Sequence, residues 1–142
     1  MLRQAEVPLR ILLAEDNKIN QKLAQRVMEK LGHSIVVVEN GVQAVEAASR
    51  ETFELILMDV QMPEMDGLEA TRAIRAAECE LAAGDRPVPR VPIVAMTAHA
   101  MNSDRDLCLA AGMDGYISKP IHLQTLAEAI ERLHRPREEA VH

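Results

Sequence analysis

Five short runs recur along the chain with amphipathic segments between them: Ile11-Leu12-Leu13-Ala14, Ile35-Val36-Val37-Val38, Leu55-Ile56-Leu57-Met58, Val91 to Met96, and the briefer Gly115-Tyr116-Ile117-Ser118. The first four are apolar throughout. A strand with one wet face alternates polar and apolar residues, whereas a strand apolar at every position is covered on both faces, as in a parallel sheet. The runs therefore predict five strands buried between helical layers.

The intervening segments have helical spacing. From Asn17 to Leu31, Ile19, Leu23, Val27 and Leu31 fall four apart and predict one inward stripe, with Lys18, Gln25 and Glu29 in water. Gly32 stops that helix. A second helix is expected over about Val42 to Ser49 with Val45 and Ala48 inward, and a third over about Leu68 to Glu78 with Leu68, Thr71 and Ile74 toward the sheet. A fourth is expected near Asp104 to Ala111, ended by Gly112. A fifth runs from roughly His122 to His134, with Leu123, Leu126, Ala127, Ile130 and Leu133 inward, and closes at Pro136. Ala82 to Pro92, rich in proline, reads as a surface loop.

Strand and helix alternate five times, and right-handed crossovers make an α/β doubly wound parallel sheet the simplest architecture. The expected form is flavodoxin-like, (βα)5, with strand order 2-1-3-4-5. Residues 9–134 form one domain, residues 1–8 an N-terminal extension and residues 135–142 a C-terminal tail. Ligands in such sheets sit beyond the carboxyl ends of the strands, near the switch in strand order between strands 1 and 3.

Composition excludes several classes. A net charge of −6 opposes binding to a phosphate backbone, and one Phe, one Tyr and no Trp provide no stacking platform for bases, so no nucleic-acid partner is expected. Met1 to Arg10 carry no apolar run of signal-peptide length and no later stretch is long enough to cross a bilayer, so a cytoplasmic domain without membrane contact is expected. Cys79 and Cys108 have no neighbouring Cys or His at zinc-site spacing; both read as reduced thiols at buried or half-buried positions. His33, His122, His134 and His142 read as solvated surface. With eight residues after His134 in this chain, no effector domain is expected within it.

Chemistry gathers at the strand ends. Glu15 and Asp16 end strand 1 and Asp59 ends strand 3, so the fold brings three carboxylates to one crevice. Like charges at that range destabilise the ionised cluster unless a cation neutralises them. Carboxylate oxygens and water are the ligands Mg²⁺ prefers, and Mg²⁺ commonly keeps positions open for phosphate oxygens. Thr97 ends strand 4 and Lys119 ends strand 5, adding a hydroxyl and an ammonium that bind phosphoryl oxygens. Such a site suits phosphoryl transfer, where positioning and charge neutralisation do most of the work and a carboxylate serves as nucleophile.

Leu13-Ala14-Glu15-Asp16-Asn17, Leu57-Met58-Asp59-Val60-Gln61-Met62-Pro63-Glu64-Met65-Asp66-Gly67, Met96-Thr97-Ala98 and Ser118-Lys119-Pro120 resemble, in order and spacing, the signatures of response-regulator receiver domains of two-component phosphorelays. The resemblance covers about Leu9 to Leu133. It implies that Asp59 is the phosphoacceptor, that Asp16 ligates Mg²⁺ directly, that Glu15 acts through water and that the backbone carbonyl of Gln61 adds a ligand. It implies that Lys119 bridges Asp59 and the phosphoryl group, that Thr97 moves to hydrogen-bond that group, that Tyr116 is the switch aromatic and that the Lys119–Pro120 bond is cis. The implied partner is a histidine kinase or a histidine phosphotransfer domain. The only catalysis implied for the domain is its own phosphorylation and dephosphorylation. Glu15-Asp16-Asn17, Gln61 to Gly67 and Thr97-Ala98-His99-Ala100-Met101 look most like receivers of hybrid sensor histidine kinases, of which this chain would be a part; a stand-alone regulator is the alternative. The loop before strand 4 is longer than the family's usual connection.

Plainer readings stand beside these. Asp16 or Asn17 caps the next helix as readily as Asp16 binds an ion. Tyr116 on its own reads as edge packing. A phosphatase with an aspartyl-phosphate intermediate is a competing function, but the haloacid-dehalogenase-like pattern needs a second Asp where Gln61 stands. A flavodoxin-like module for a nucleotide or flavin is another, but no Gly-rich phosphate loop occurs.

Overall fold

The computed structural model describes residues 9–62, 64–82, 91–97, 102–118, 125, 127 and 128. Among them five strands form one parallel sheet: β1 (Arg10–Ala14), β2 (Ser34–Val38), β3 (Leu55–Asp59), β4 (Ile93–Thr97) and β5 (Gly115–Ser118), in the order β2-β1-β3-β4-β5. Between them run α1 (Lys18–Leu31), α2 (Gly41–Arg50), α3 (Gly67–Ala82) and α4 (Asn102–Ala111). The doubly wound architecture and its strand order are those expected. Of the fifth helix, Thr125, Ala127 and Glu128 are helical. Its other expected inward positions, and most of the loop before β4, lie outside the described residues.

Strand alternation sorts the core into two layers. Ile11, Leu13, Leu55, Leu57, Val94 and Met96 pack on one face with Ala24, Val27, Met28 and Leu31 of α1 and with Ala127. Leu12, Ala14, Ile56, Met58, Ile93 and Ala95 pack on the other with Ala44 of α2, Ala70 and Ile74 of α3 and Cys108 of α4. Successive side chains point to opposite faces, so strands covered twice must be apolar at every position. Each fully buried aliphatic side chain contributes about 1.5–3 kcal/mol. β2 lies at the sheet edge and its valines are only half-buried.

The helix boundaries follow from capping. Asn17 adopts an extended backbone and its side chain accepts from the amides of Ile19 and Asn20, at 2.9 and 3.1 Å, satisfying donors that the first turn leaves open. Gly32 takes the left-handed conformation (φ 85°) that ends α1. Asp66 caps α3 through the Glu69 amide at 2.8 Å. That helix runs on to Ala82, four residues past the expected end at Glu78.

Three expectations are corrected. Ile19 is 77% exposed, and the buried stripe of α1 is Ala24, Val27, Met28 and Leu31. Ile19 belongs to the first turn, where the helix starts next to the carboxyl edge of the sheet. His33 is buried, because its Nδ1 accepts the Leu9 amide at 2.9 Å and ties the α1–β2 turn to the entry of β1. Cys79 is exposed on α3, whereas Cys108 is buried in the core.

Candidate functional site

Residues Arg10 to Ala14 of β1 pair in parallel with β2, and Ala14 is the partner of Met58 on β3. One residue further on, the alternation places Glu15 and Asp59 side by side on the same face. Glu15 is held in line by its amide, which donates to the Val38 carbonyl at 3.0 Å. Its own carbonyl accepts from Gln21 Nε2 at 2.6 Å, and its Oε2 accepts from the Asn17 amide at 3.1 Å. Asp59 is 3% exposed and Glu15 fully buried, while Asp16 is exposed at the rim.

A carboxylate oxygen from each of Glu15, Asp16 and Asp59 lies within 4.8 Å of the others. Two unit charges at about that separation repel by about 3.5 kcal/mol at an effective dielectric of about 20. Burial of Glu15 and Asp59 makes water a poor remedy. A hard cation is the remedy the donor set suits: all three ligands are carboxylate oxygens, the type chosen by Mg²⁺ and Ca²⁺.

The end of β1 offers two groups for the cap of α1, Asp16 and Asn17. Asn17 caps α1, so the capping requirement makes no use of the Asp16 carboxylate. Across the sheet, Asp59 is the partner of Met96, and the Val60 amide donates to the Met96 carbonyl at 3.1 Å. Thr97, one residue beyond, ends β4 beside Ser118 of β5 and is buried. Gln61 is exposed, and its amide donates to Asp59 Oδ1 at 3.2 Å. Tyr116 pairs with Ala95 and packs half-buried against the α2–α3–α4 layer. Lys119 and Pro120, together with His99, lie outside the described residues.

Sequence reasoning gave no part to the residues that shape the floor of this crevice. The Gly67 amide donates to the Val60 carbonyl at 2.9 Å, closing the loop that carries Gln61. A Cβ at Gly67 would overlap the Asp59 carbonyl oxygen and come within 2.9 Å of Met58 Cγ. The signal was present as a glycine at the start of a helix, where residues with better helix propensity are the rule.

Residues 11–131 match the family model described as the response regulator receiver domain. The chain belongs to that family. Receiver domains of known structure superimpose on it: that of the sensor histidine kinase PA1611 from Pseudomonas aeruginosa PAO1, crystallised with a magnesium ion coordinated in its active-site cleft, has a TM-score of 0.77 and 40% identity, covering 89% of this chain and 98% of that one. The receiver domain of the response regulator Ssk1 from Saccharomyces cerevisiae, co-crystallised with the histidine phosphotransfer protein Ypd1, has a TM-score of 0.83 and 31% identity, over 89% and 88% of the two chains. Among full-length proteins, the sensor protein GacS of Pseudomonas syringae pv. syringae is 47% identical over 121 residues, 85% of this chain and 13% of its own length. Probable histidine kinase 1 of Oryza sativa subsp. indica is 42% identical over 146 residues, 87% of this chain and 15% of its own. The receiver chain thus spans about one seventh of the length of these kinases. Among its described residues no helix is long and apolar enough to cross a membrane.

Proposed function

We propose that this receiver domain accepts a phosphoryl group onto Asp59 from a phosphohistidine and uses the resulting charge to change its partner surface. The observation that carries this reading is the meeting of Glu15, Asp16 and Asp59 within 4.8 Å at the carboxyl edge of the sheet. The ion the site would take is Mg²⁺, which Asp16, Asp59 and the backbone carbonyl of Gln61 would hold, with Glu15 acting through water. When bound, it neutralises the trio and charge on phosphoryl oxygens.

The protein's own groups do the rest. Asp59 supplies the attacking oxygen: its bond to phosphorus forms as the phosphorus–nitrogen bond of the phosphohistidine breaks, and the electron pair of that bond stays on the imidazole. The Gln61 amide donates to Asp59 Oδ1 and helps to orient that carboxylate. Lys119 bridges Asp59 and the transferred group, and Thr97 moves to donate to one of its oxygens. The new charge of nearly −2 draws these groups in and lets Tyr116 change rotamer, shifting the surface of α4 and β5.

The phosphoryl donor is a histidine kinase or a histidine phosphotransfer domain. The kinship with PA1611, GacS and the plant kinase supports placing the domain in the cytoplasmic part of a hybrid sensor histidine kinase. The test is phosphorylation by acetyl phosphate with Mg²⁺, followed by intact mass. Wild type is expected to gain one phosphoryl group, and both Asp59→Asn and chelation of Mg²⁺ to abolish the gain. Persistence of the modification in Asp59→Asn refutes the assignment.

A further inference from the structure

The loop from Val60 to Gly67, which carries the Gln61 carbonyl, leaves β3 at Val60, whose amide donates to the Met96 carbonyl, and beyond that residue three ties hold it. The Gln61 amide is tied to Asp59 Oδ1, and the Gly67 amide to the Val60 carbonyl. The third tie comes from another element: the amide of Gly41, the first residue of α2, donates to the Met65 carbonyl at 2.9 Å. Gly41 is buried, and a Cβ there would overlap the Met65 carbonyl oxygen and sit 2.8 Å from Met65 Cγ. Glu64, one residue before Met65, has φ 66°, a left-handed backbone that a non-glycine residue keeps only when its surroundings impose it. The tie at Gly41 lies next to that strained residue and is the only one of the three that comes from outside the segment Asp59 to Gly67.

We propose that Gly41 is a positioning residue for the cation site: the start of α2 holds the Gln61 loop in the conformation that binds Mg²⁺, without touching the ion. The inference rests on the reading of the acidic trio as a Mg²⁺ site. A side chain at position 41 must push Met65 away, beside Glu64 in the loop that presents Gln61. By linkage the coupling runs both ways, so an ion that fixes the loop also protects the Gly41 amide.

The test uses the chain as it stands, with Mg²⁺ affinity measured by calorimetry. Gly41→Ala is expected to raise the Kd for Mg²⁺ at least fivefold. Gly112→Ala is the control, because Gly112 (φ 108°) also lacks room for a Cβ, lying 2.9 Å from Arg75 Cγ, but stands at the opposite end of the sheet. It is expected to lose stability and keep the wild-type Kd. A Gly41→Ala protein that binds Mg²⁺ like wild type, or a Gly112→Ala protein that loses affinity equally, overturns the proposal. If Gly41→Ala fails to fold, amide exchange in the wild-type chain decides: saturating Mg²⁺ is expected to slow exchange at Gly41, and an unchanged rate overturns the proposal. Absence of Mg²⁺ binding by the wild type would defeat the cation-site reading and this inference with it, an outcome distinct from wild-type binding with no effect at Gly41.

Discussion

Asp16 is the residue whose role divides most cleanly into stability and binding. It lies on the rim of the trio, and Asn17 performs the capping that a strand-end acid often performs. Asp16→Asn therefore removes repulsion toward Glu15 and Asp59 without opening the first turn of α1. The variant is expected to be at least as stable as wild type in a chelator, by urea denaturation, and to bind Mg²⁺ at least about tenfold more weakly by calorimetry. Loss of stability in chelator would mean that Asp16 serves the fold and not the ion. At this scale the sequence was informative about the acids and less so about their surroundings. Glu15, Asp16 and Asp59 were legible because each ends an apolar run, and the fold rule puts strand ends together. His33 was not, since its ring accepts an amide from Leu9, a partner that only the turn geometry brings near. Ile19 kept the helical spacing of a core residue and yet sits where α1 has little sheet beneath it.

Among the elements, α3 carries a tie that sequence spacing does not show. Arg75 Nε donates to the Gly112 carbonyl at 2.9 Å, Nη1 to the Val91 carbonyl at 2.7 Å and to Glu78 at 2.9 Å, and Nη2 to Asp114 Oδ2 at 2.8 Å. Glu78 and Asp114 in turn accept the amides of Val91 and Ile93, both at 2.9 Å. One guanidinium thus fastens α3 to the entry of β4 and to the turn between α4 and β5, four of its N–H donors meeting carboxylates and carbonyls in a fork that lysine lacks. The three charged side chains are only 14–17% exposed. Arg75→Ala leaves two acids poorly solvated and two turns unfastened, and is expected to cost about 2–4 kcal/mol in urea denaturation, less than a fully buried pair because water reaches the rim. Arg75→Lys is expected to recover only part of that. A cost below about 1 kcal/mol for Arg75→Ala would show that the tie is dispensable. The helices themselves were legible from apolar spacing and glycine stops, and their ends moved by a few residues where caps such as Asp66 and Asn17 decided the boundary. Apart from Glu78, at i,i+3 on the same helix, the Arg75 tie was not legible, because its other partners come from separate stretches of chain with no spacing that marks them.

For the molecule as a whole, doubly apolar strands dictated the parallel sheet, and the sheet dictated where its ligand edge lies. Leu12 and Leu13 illustrate why so much of the fold could be read: adjacent residues face opposite helical layers, so both must be apolar. What the fold builds at that edge is an acidic pocket whose neutralisation is linked to stability. Mg²⁺ that binds the native chain and not the unfolded one is expected to raise the melting temperature, by an amount that grows with the logarithm of its concentration above Kd. The Asp16→Asn variant is expected to lose most of that rise. That Asp59 is the nucleophile is tested by transfer from a phosphorylated histidine phosphotransfer domain, with the modified residue located by mass spectrometry of peptides. Modification confined to the peptide containing Asp59, and abolished by chelating Mg²⁺, is the predicted result. Phosphoryl transfer to any other residue, or transfer at the same rate without the ion, would contradict it.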